Sequence, residues 1–172
     1  AAATGELLFF TDADTVHAPD TLRRAVAALT SLRAQFVTAV TRNEVRTFGE
    51  QVTVPFIVWA LMAILPLGIA YLLRRSRAFS AASGKFLLFR RAAYEQVGGH
   101  AAVRTEAAED VALARRVKAA GMTWRLLDAT DCVSARMYDG FRSAARGFSK
   151  NYFALFDYRV LVALFVWYWM LV

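Results

Sequence analysis

The chain has 172 residues, a net charge of +7, 58% hydrophobic residues and one cysteine. Its length suits a single domain with a sizeable core, and the lone Cys132 excludes an internal disulfide framework and a cysteine-based zinc site. No nucleic-acid partner is expected, because the sequence lacks zinc motifs and interleaved basic and aromatic residues. Basic charge beside long apolar runs instead indicates a membrane surface with anionic lipid.

The first element is a short apolar run, Leu7 to Phe10, that ends in an acidic pair. The run predicts a strand buried on both faces, as in a parallel sheet flanked by helices. Asp12 and Asp14 follow it, where ligands bind in open α/β sheets. Two carboxylates at this spacing suit Mg²⁺ or Mn²⁺, with a substrate phosphate completing the coordination shell. The alternative is a solvated turn in which Asp14 or Thr15 only caps the next helix.

A helix and a second strand are expected next. Pro19 and Asp20 suit a helix start, and an apolar stripe continues to Leu32. Phe36 to Val40 then predicts a strand, so the segment forms a βαβ unit that implies a parallel sheet. The polar residues 41–51 are expected to form a loop.

Two apolar segments indicate membrane association. Residues 52–73 carry no charge, are interrupted at Pro66 and Gly68, and are followed by arginines, as at a cytoplasmic membrane boundary. The interruption favours a re-entrant or interfacial segment over a single crossing, and a buried core helix is the alternative. Residues 159–172 predict the start of a transmembrane helix.

Three further elements follow residue 82. Gly84 to Phe89 predicts a strand entered through a glycine, and residues 90–99 predict a helix closed by a Gly-Gly turn. Glu109 to Gly121 predicts an amphipathic helix with acids at its start, cations in its last turns and a glycine after it. Its N-terminus is expected to lower the pKa of Asp110. Residues 124–127 predict another strand.

Four stretches in this order carry a resemblance to a known family: FFTDADT, SGKFLLFRRAAYEQVGGH, EDVALARRVKAAG and RMYDGFRSAARGFSKN. Together they resemble the membrane-attached, lipid-modifying members of the family-2 type inverting glycosyltransferases, which have the GT-A fold. The resemblance implies an α/β domain over residues 1–158, with a mostly parallel sheet flanked by helices and the apolar segment 52–73 inserted. It covers the second part of such a domain, so the N-terminal part of the fold is expected upstream of Ala1.

The resemblance also implies roles for single residues. Asp12 and Asp14 match the Asp-x-Asp motif that binds a nucleotide-diphosphate sugar and its Mg²⁺ or Mn²⁺. Asp110 matches the general base that takes the proton of the acceptor hydroxyl, and Glu109 precedes it on the substrate-binding side. Gly84 matches the glycine that lets the acceptor approach the backbone. Without the resemblance, Glu109 and Asp110 would be interpreted as ordinary acidic residues at a helix start. Gly84 would be interpreted as part of a turn that leads into a strand.

The basic tail departs from the family's pattern. Arg142-Ser-Ala-Ala-Arg146-Gly-Phe148 stands where a Gln-x-x-Arg-Trp motif is common, which favours a single transfer over processive polymer synthesis. Arg142 and Arg146 suit either the donor diphosphate or anionic lipid. The apolar segment beside the site indicates a lipid or lipid-linked acceptor. We therefore expect a cell-membrane enzyme with its active site on the cytoplasmic face.

Two other classes of protein fit parts of the pattern. Asp12-Ala-Asp14-Thr-Val also matches the motif of haloacid-dehalogenase-like phosphatases, in which Asp12 would be the nucleophile and Asp14 the general acid. That fold requires a later lysine and an acidic pair at strand ends, whereas Lys85 lies at a strand entrance and Glu109 opens a helix. A non-catalytic membrane scaffold is the third possibility, which the intact acidic positions disfavour.

Overall fold

The computed structural model describes residues 3–55, 65, 67–73, 75–76, 79–147, 160, 161, 164 and 168. The chain forms two compact units, the first comprising Ala1–Glu44 and Leu65–Ala135 and the second Val45–Ile64 and Arg136–Val172. The expectation of one catalytic domain over residues 1–158 stays a prediction.

All the strands with named bounds lie in the first unit. They are β1 (Leu7–Phe10), β2 (Thr15–His17), β3 (Phe36–Val40), β4 (Arg42–Asn43), β5 (Leu87–Arg90), β6 (Trp124–Asp128) and β7 (Val133–Ala135). The helices of this unit are α1 (Thr21–Ser31), α2 (Leu67–Leu72), α3 (Arg91–Gln96), a 3₁₀ helix (His100–Val103) and α4 (Glu109–Ala119). Strands and helices alternate along much of the unit, which confirms the α/β class.

The main sheet has the strand order β1-β5-β3-β6. β5 is antiparallel to both β1 and β3, and only the β3–β6 pair is parallel. The expectation of a mostly parallel sheet was therefore wrong for the described pairings. β1, α1 and β3 follow one another as predicted, but β5 enters between the two strands in the opposite direction. Sequence periodicity could not reveal this, because a buried strand has the same apolar pattern in either direction.

Both faces of the main sheet are covered by apolar side chains. On one face Phe36 and Phe89 stack with their ring centroids 4.0 Å apart, in a cluster that includes Leu113 and Val117 of α4. Val37 and Leu88 point to the other face, because side chains alternate along a strand, and they pack in the cluster that contains Leu29 of α1. The helices therefore flank the sheet as expected.

A second sheet has the order β2-β7-β4. β2 pairs antiparallel with β7, and β4 pairs parallel with it. The prediction of a loop over residues 41–51 was wrong at both ends, because Arg42 and Asn43 form β4 and residues 48–55 are helical. The predicted strand over residues 84–89 begins later, at Leu87, because Gly84 and Lys85 form a turn.

The glycine stops predicted for two helices are confirmed. Gly99 has φ +52° after α3, and Gly121 has φ +74° after α4, a conformation that favours glycine. A Cβ on Gly99 would also lie 2.6 Å from the ring of Tyr94. That ring is fixed by a 2.7 Å hydrogen bond between its hydroxyl and Nδ1 of His100, so this close approach requires the glycine.

In the second unit, the helix over residues 48–55 begins with a capping box. The Thr47 hydroxyl accepts from the Glu50 N–H at 3.3 Å, and the Glu50 carboxylate accepts from the Thr47 N–H at 3.4 Å. Glu50 is buried, and its carboxylate also accepts a hydrogen bond from Arg136 at 3.1 Å. Its pKa is lowered to about 2, and the hydrogen bond from the Arg46 N–H is the largest cause. The Thr-x-x-Glu spacing was the sequence signal for this helix start.

The membrane predictions include residues 56–64, 66, 159, 162–163, 165–167 and 169–172, which lie outside the described residues. Within the described part of the chain, no helix combines the length and the apolar character needed to cross a bilayer. The membrane-associated insert over 52–73 and the transmembrane start over 159–172 stay predictions.

Candidate functional site

The acidic pair lies directly after β1. Asp12 and Asp14 are both exposed, and the turn between them is closed by a 3.2 Å hydrogen bond from the Thr15 N–H to the Asp12 carbonyl. The Thr11 hydroxyl donates to the Lys85 carbonyl at 2.9 Å, so the end of β1 is joined to the turn that precedes β5. The pairing of β1 with β5 thus brings Asp12 beside Gly84.

Gly84 separates two of the predicted carboxylates. A Cβ built on it would lie 3.1 and 3.2 Å from the carboxylate oxygens of Asp12, so the absence of a side chain permits this close approach. Its N–H donates to Oδ2 of Asp110 at 2.9 Å. The structure therefore brings Asp12, Gly84 and Asp110 together from three parts of the chain, and Glu109 lies exposed next to Asp110 at the start of α4.

Asp110 is a partly buried carboxylate with a raised pKa. Burial is the largest cause of the raised pKa, and the negative charge of Asp12 raises it further. Hydrogen bonds from the N–H groups of Val111 and Gly84 lower the pKa but do not cancel these effects. The expectation that the helix N-terminus would lower this pKa was wrong, because desolvation of the carboxylate outweighs those hydrogen bonds. A raised pKa makes Asp110 a stronger base once it is ionised.

The charge balance around Asp12 suits a cation. Burial raises the pKa of Asp12, the neighbouring charge of Asp14 raises it further, and Lys85 opposes both effects. Among the described residues, no three acidic, histidine or cysteine side chains lie close enough to enclose a metal ion. Mg²⁺ is usually bound by one or two protein carboxylates, and substrate oxygens and water fill its remaining coordination positions. Asp12 and Asp14 fit this pattern.

Lys85 is part of the site, although sequence reasoning considered it only for the phosphatase alternative. It is 6% exposed, and its Nζ donates to the Asn43 amide oxygen at 2.6 Å. Burial lowers its pKa, while the charges of Asp14 and Asp12 act in the opposite direction. A lysine directly after the glycine of an otherwise apolar run was the available signal.

The two predicted arginines belong to the second unit. Arg142 and Arg146 are exposed on one short helix over residues 141–147, four residues apart and therefore on the same face. They line a shallow depression of about 480 Å³ together with Asp139, Gly140, Phe141 and Ser143. Two guanidinium groups on one open face could bind a phosphate or a lipid head group.

The described site is a strand-end carboxylate pair close to a helix-start carboxylate, in an α/β unit. Carboxylates in this arrangement can hold a divalent cation and can take a proton from a substrate hydroxyl. The family model for glycosyl transferase family 21 matches residues 1–137, which is most of the chain, and the chain therefore belongs to this family. No curated protein matches it significantly. The membership confirms the predicted glycosyltransferase class. The family-2 type, the GT-A fold and inversion stay predictions.

Proposed function

We propose that this glycosyltransferase moves a sugar, with inversion, from a nucleotide-diphosphate sugar to a lipid or lipid-linked acceptor. The observation that supports this most directly is the contact of Gly84 with both Asp12 and Asp110. Inversion requires one carboxylate near the acceptor hydroxyl and a separate charge-bearing group near the leaving diphosphate. The two carboxylates on either side of Gly84 meet this requirement.

In the proposed step, Asp110 acts as the general base. The acceptor hydroxyl oxygen forms a bond to the anomeric carbon of the sugar, its proton passes to the Asp110 carboxylate, and the bond to the diphosphate breaks so that nucleoside diphosphate leaves. The raised pKa of Asp110 favours this proton transfer. Asp12 and Asp14 would hold Mg²⁺ or Mn²⁺, which when bound neutralises charge on the leaving diphosphate.

The other predicted residues would position the substrates. Gly84, which has no side chain, would let the acceptor approach the backbone beside the carboxylates. Glu109 would bind a substrate hydroxyl from its exposed place at the helix start. Arg142 and Arg146 would bind the donor diphosphate, and anionic lipid is the alternative ligand for them.

The lipid acceptor and the membrane location are supported by composition. The net charge of +7 and the apolar segment over residues 52–73 favour a membrane surface with anionic lipid. Arginines directly after that segment favour its cytoplasmic side. We therefore place the active site, as a proposal, on the cytoplasmic face of the cell membrane.

The proposal is tested with the purified full-length protein in membranes or detergent. We expect Mn²⁺-dependent transfer from one member of a panel of uridine- and guanosine-diphosphate sugars. Asp14→Ala should weaken donor binding, whereas Asp110→Asn should lower kcat by roughly 10²- to 10⁴-fold and still bind donor. Glu109→Gln is the matched control, and it should raise KM with little change in kcat.

Three outcomes would contradict the proposal. Equal kcat for native protein and Asp110→Asn would exclude Asp110 as the base. Cleavage of a phosphate ester that is lost on Asp12→Asn, without sugar transfer, would support the phosphatase alternative. The absence of both donor binding and ester cleavage would support a non-catalytic scaffold.

A further inference from the structure

Lys85 is a buried cation whose backbone lies at the carboxylate site. Lys85 is 6% exposed. It directly follows Gly84, where an added Cβ would lie 3.1 Å from the nearer carboxylate oxygen of Asp12. A buried ammonium group is costly unless opposite charges or hydrogen bonds compensate it. The charges of Asp14 and Asp12 act on this ammonium group, although among the described residues neither carboxylate lies within 4.0 Å of Nζ.

The position of Lys85 is fixed at both ends of the residue. Its carbonyl accepts from the Thr11 hydroxyl at 2.9 Å, and its Nζ donates to the Asn43 amide oxygen at 2.6 Å. An ammonium group has three N–H donors, and among the described residues Asn43 is the one hydrogen-bond partner of Nζ. The other two donors have no protein partner among the described residues.

We propose that Lys85 is the built-in counter-ion of Asp12 and Asp14 and a contact for the donor diphosphate. It would weaken the binding of a bare divalent cation and strengthen the binding of the negatively charged diphosphate that accompanies this cation. The site would thereby favour cation and donor together over the cation alone. This inference rests on the proposed function, because it assumes a nucleotide-diphosphate donor at the acidic pair.

The electrostatic couplings agree with this assignment. The charges of Asp14 and Asp12 raise the pKa of Lys85 against the effect of burial, and Lys85 lowers the pKa of Asp12. A single positive charge at this position has opposite effects on ligands of opposite charge. A purely structural role would weaken both kinds of binding or neither.

The test compares Mn²⁺ binding, followed by electron paramagnetic resonance, with binding of uridine or guanosine diphosphate in saturating Mn²⁺, followed by calorimetry. Lys85→Met keeps the length of the side chain and removes its charge. We expect it to bind Mn²⁺ alone several-fold more tightly, and to bind the diphosphate roughly tenfold more weakly. Lys85→Arg keeps the charge and should stay within about threefold of the native protein in both assays.

Lys118→Met is the matched control, because Lys118 is also buried, at 1% exposed, and its Nζ donates to the Ala70 carbonyl. It should leave both affinities unchanged at temperatures where it is folded. Equal or parallel changes of both affinities in Lys85→Met would overturn the inference. If that variant does not fold, loss of diphosphate binding by folded Lys85→Arg overturns it as well. Failure of native protein to bind either nucleoside diphosphate would instead count against the proposed function, while the Mn²⁺ comparison still tests Lys85.

Discussion

Gly84→Ala is the substitution that tests the geometry of the site most sharply. The added methyl would lie 3.1 and 3.2 Å from the two carboxylate oxygens of Asp12 and 3.5 Å from its Cγ. Ordinary van der Waals contact begins at 3.4 Å, so the Asp12 side chain must move away by about 0.3 Å.

We expect a moderate loss of activity and a small change in stability. Misplacement of a reacting group by about 1 Å can cost roughly 10²-fold in rate, so a shift of a few tenths of an ångström should lower kcat/KM by about three- to tenfold. Asp12 is exposed and can adjust, and the free energy of unfolding should therefore change by less than about 1 kcal/mol.

The assay is the Mn²⁺-dependent release of nucleoside diphosphate from the active donor, with thermal unfolding measured on the same samples. Gly68→Ala is the matched control, because a Cβ there meets no atom within 4 Å among the described residues. It lies in helix α2 and should stabilise the protein by up to about 1 kcal/mol without lowering activity. Native kcat/KM in Gly84→Ala would refute the assigned contact, and so would a loss of activity fully explained by unfolding.

Three further predictions concern charge and burial. In a pH–rate profile, kcat/KM should rise as Asp110 ionises. The midpoint of this rise should lie above 3.8, the ordinary pKa of an aspartate. Glu50→Gln should lower the melting temperature at pH 7, because a carboxylate whose pKa is lowered by folding stabilises the folded state above about pH 4.5. In thermal scans, the difference from the native protein should disappear as the pH falls to about 2. Lys118→Met should destabilise the fold by about 1–3 kcal/mol, measured by denaturant unfolding, because the Ala70 and Phe79 carbonyls lose their buried donor. A native melting curve for Lys118→Met would contradict the assigned hydrogen bonds.

Local patterns in the sequence determined most of the elements. β3 was predicted with its observed bounds, Phe36 to Val40, because its apolar run is bounded by polar residues. The helix that begins at Glu109 was predicted from acids in its first turn and Gly121 after its end. The acidic pair after β1 was also readable, since its place at a strand end depends on a few neighbouring residues. Family membership confirmed the glycosyltransferase class that these motifs indicated.

Other features depend on contacts between distant parts of the chain, and only the tertiary structure decided them. The antiparallel β5 enters between β1 and β3, and this insertion places Gly84 beside Asp12. Burial of Asp110 raises its pKa where its local position at a helix start predicted the opposite. Lys85 acquires its place next to the acidic pair through the same strand pairing. Local residue types set which elements form, whereas desolvation and charge coupling depend on which elements become neighbours.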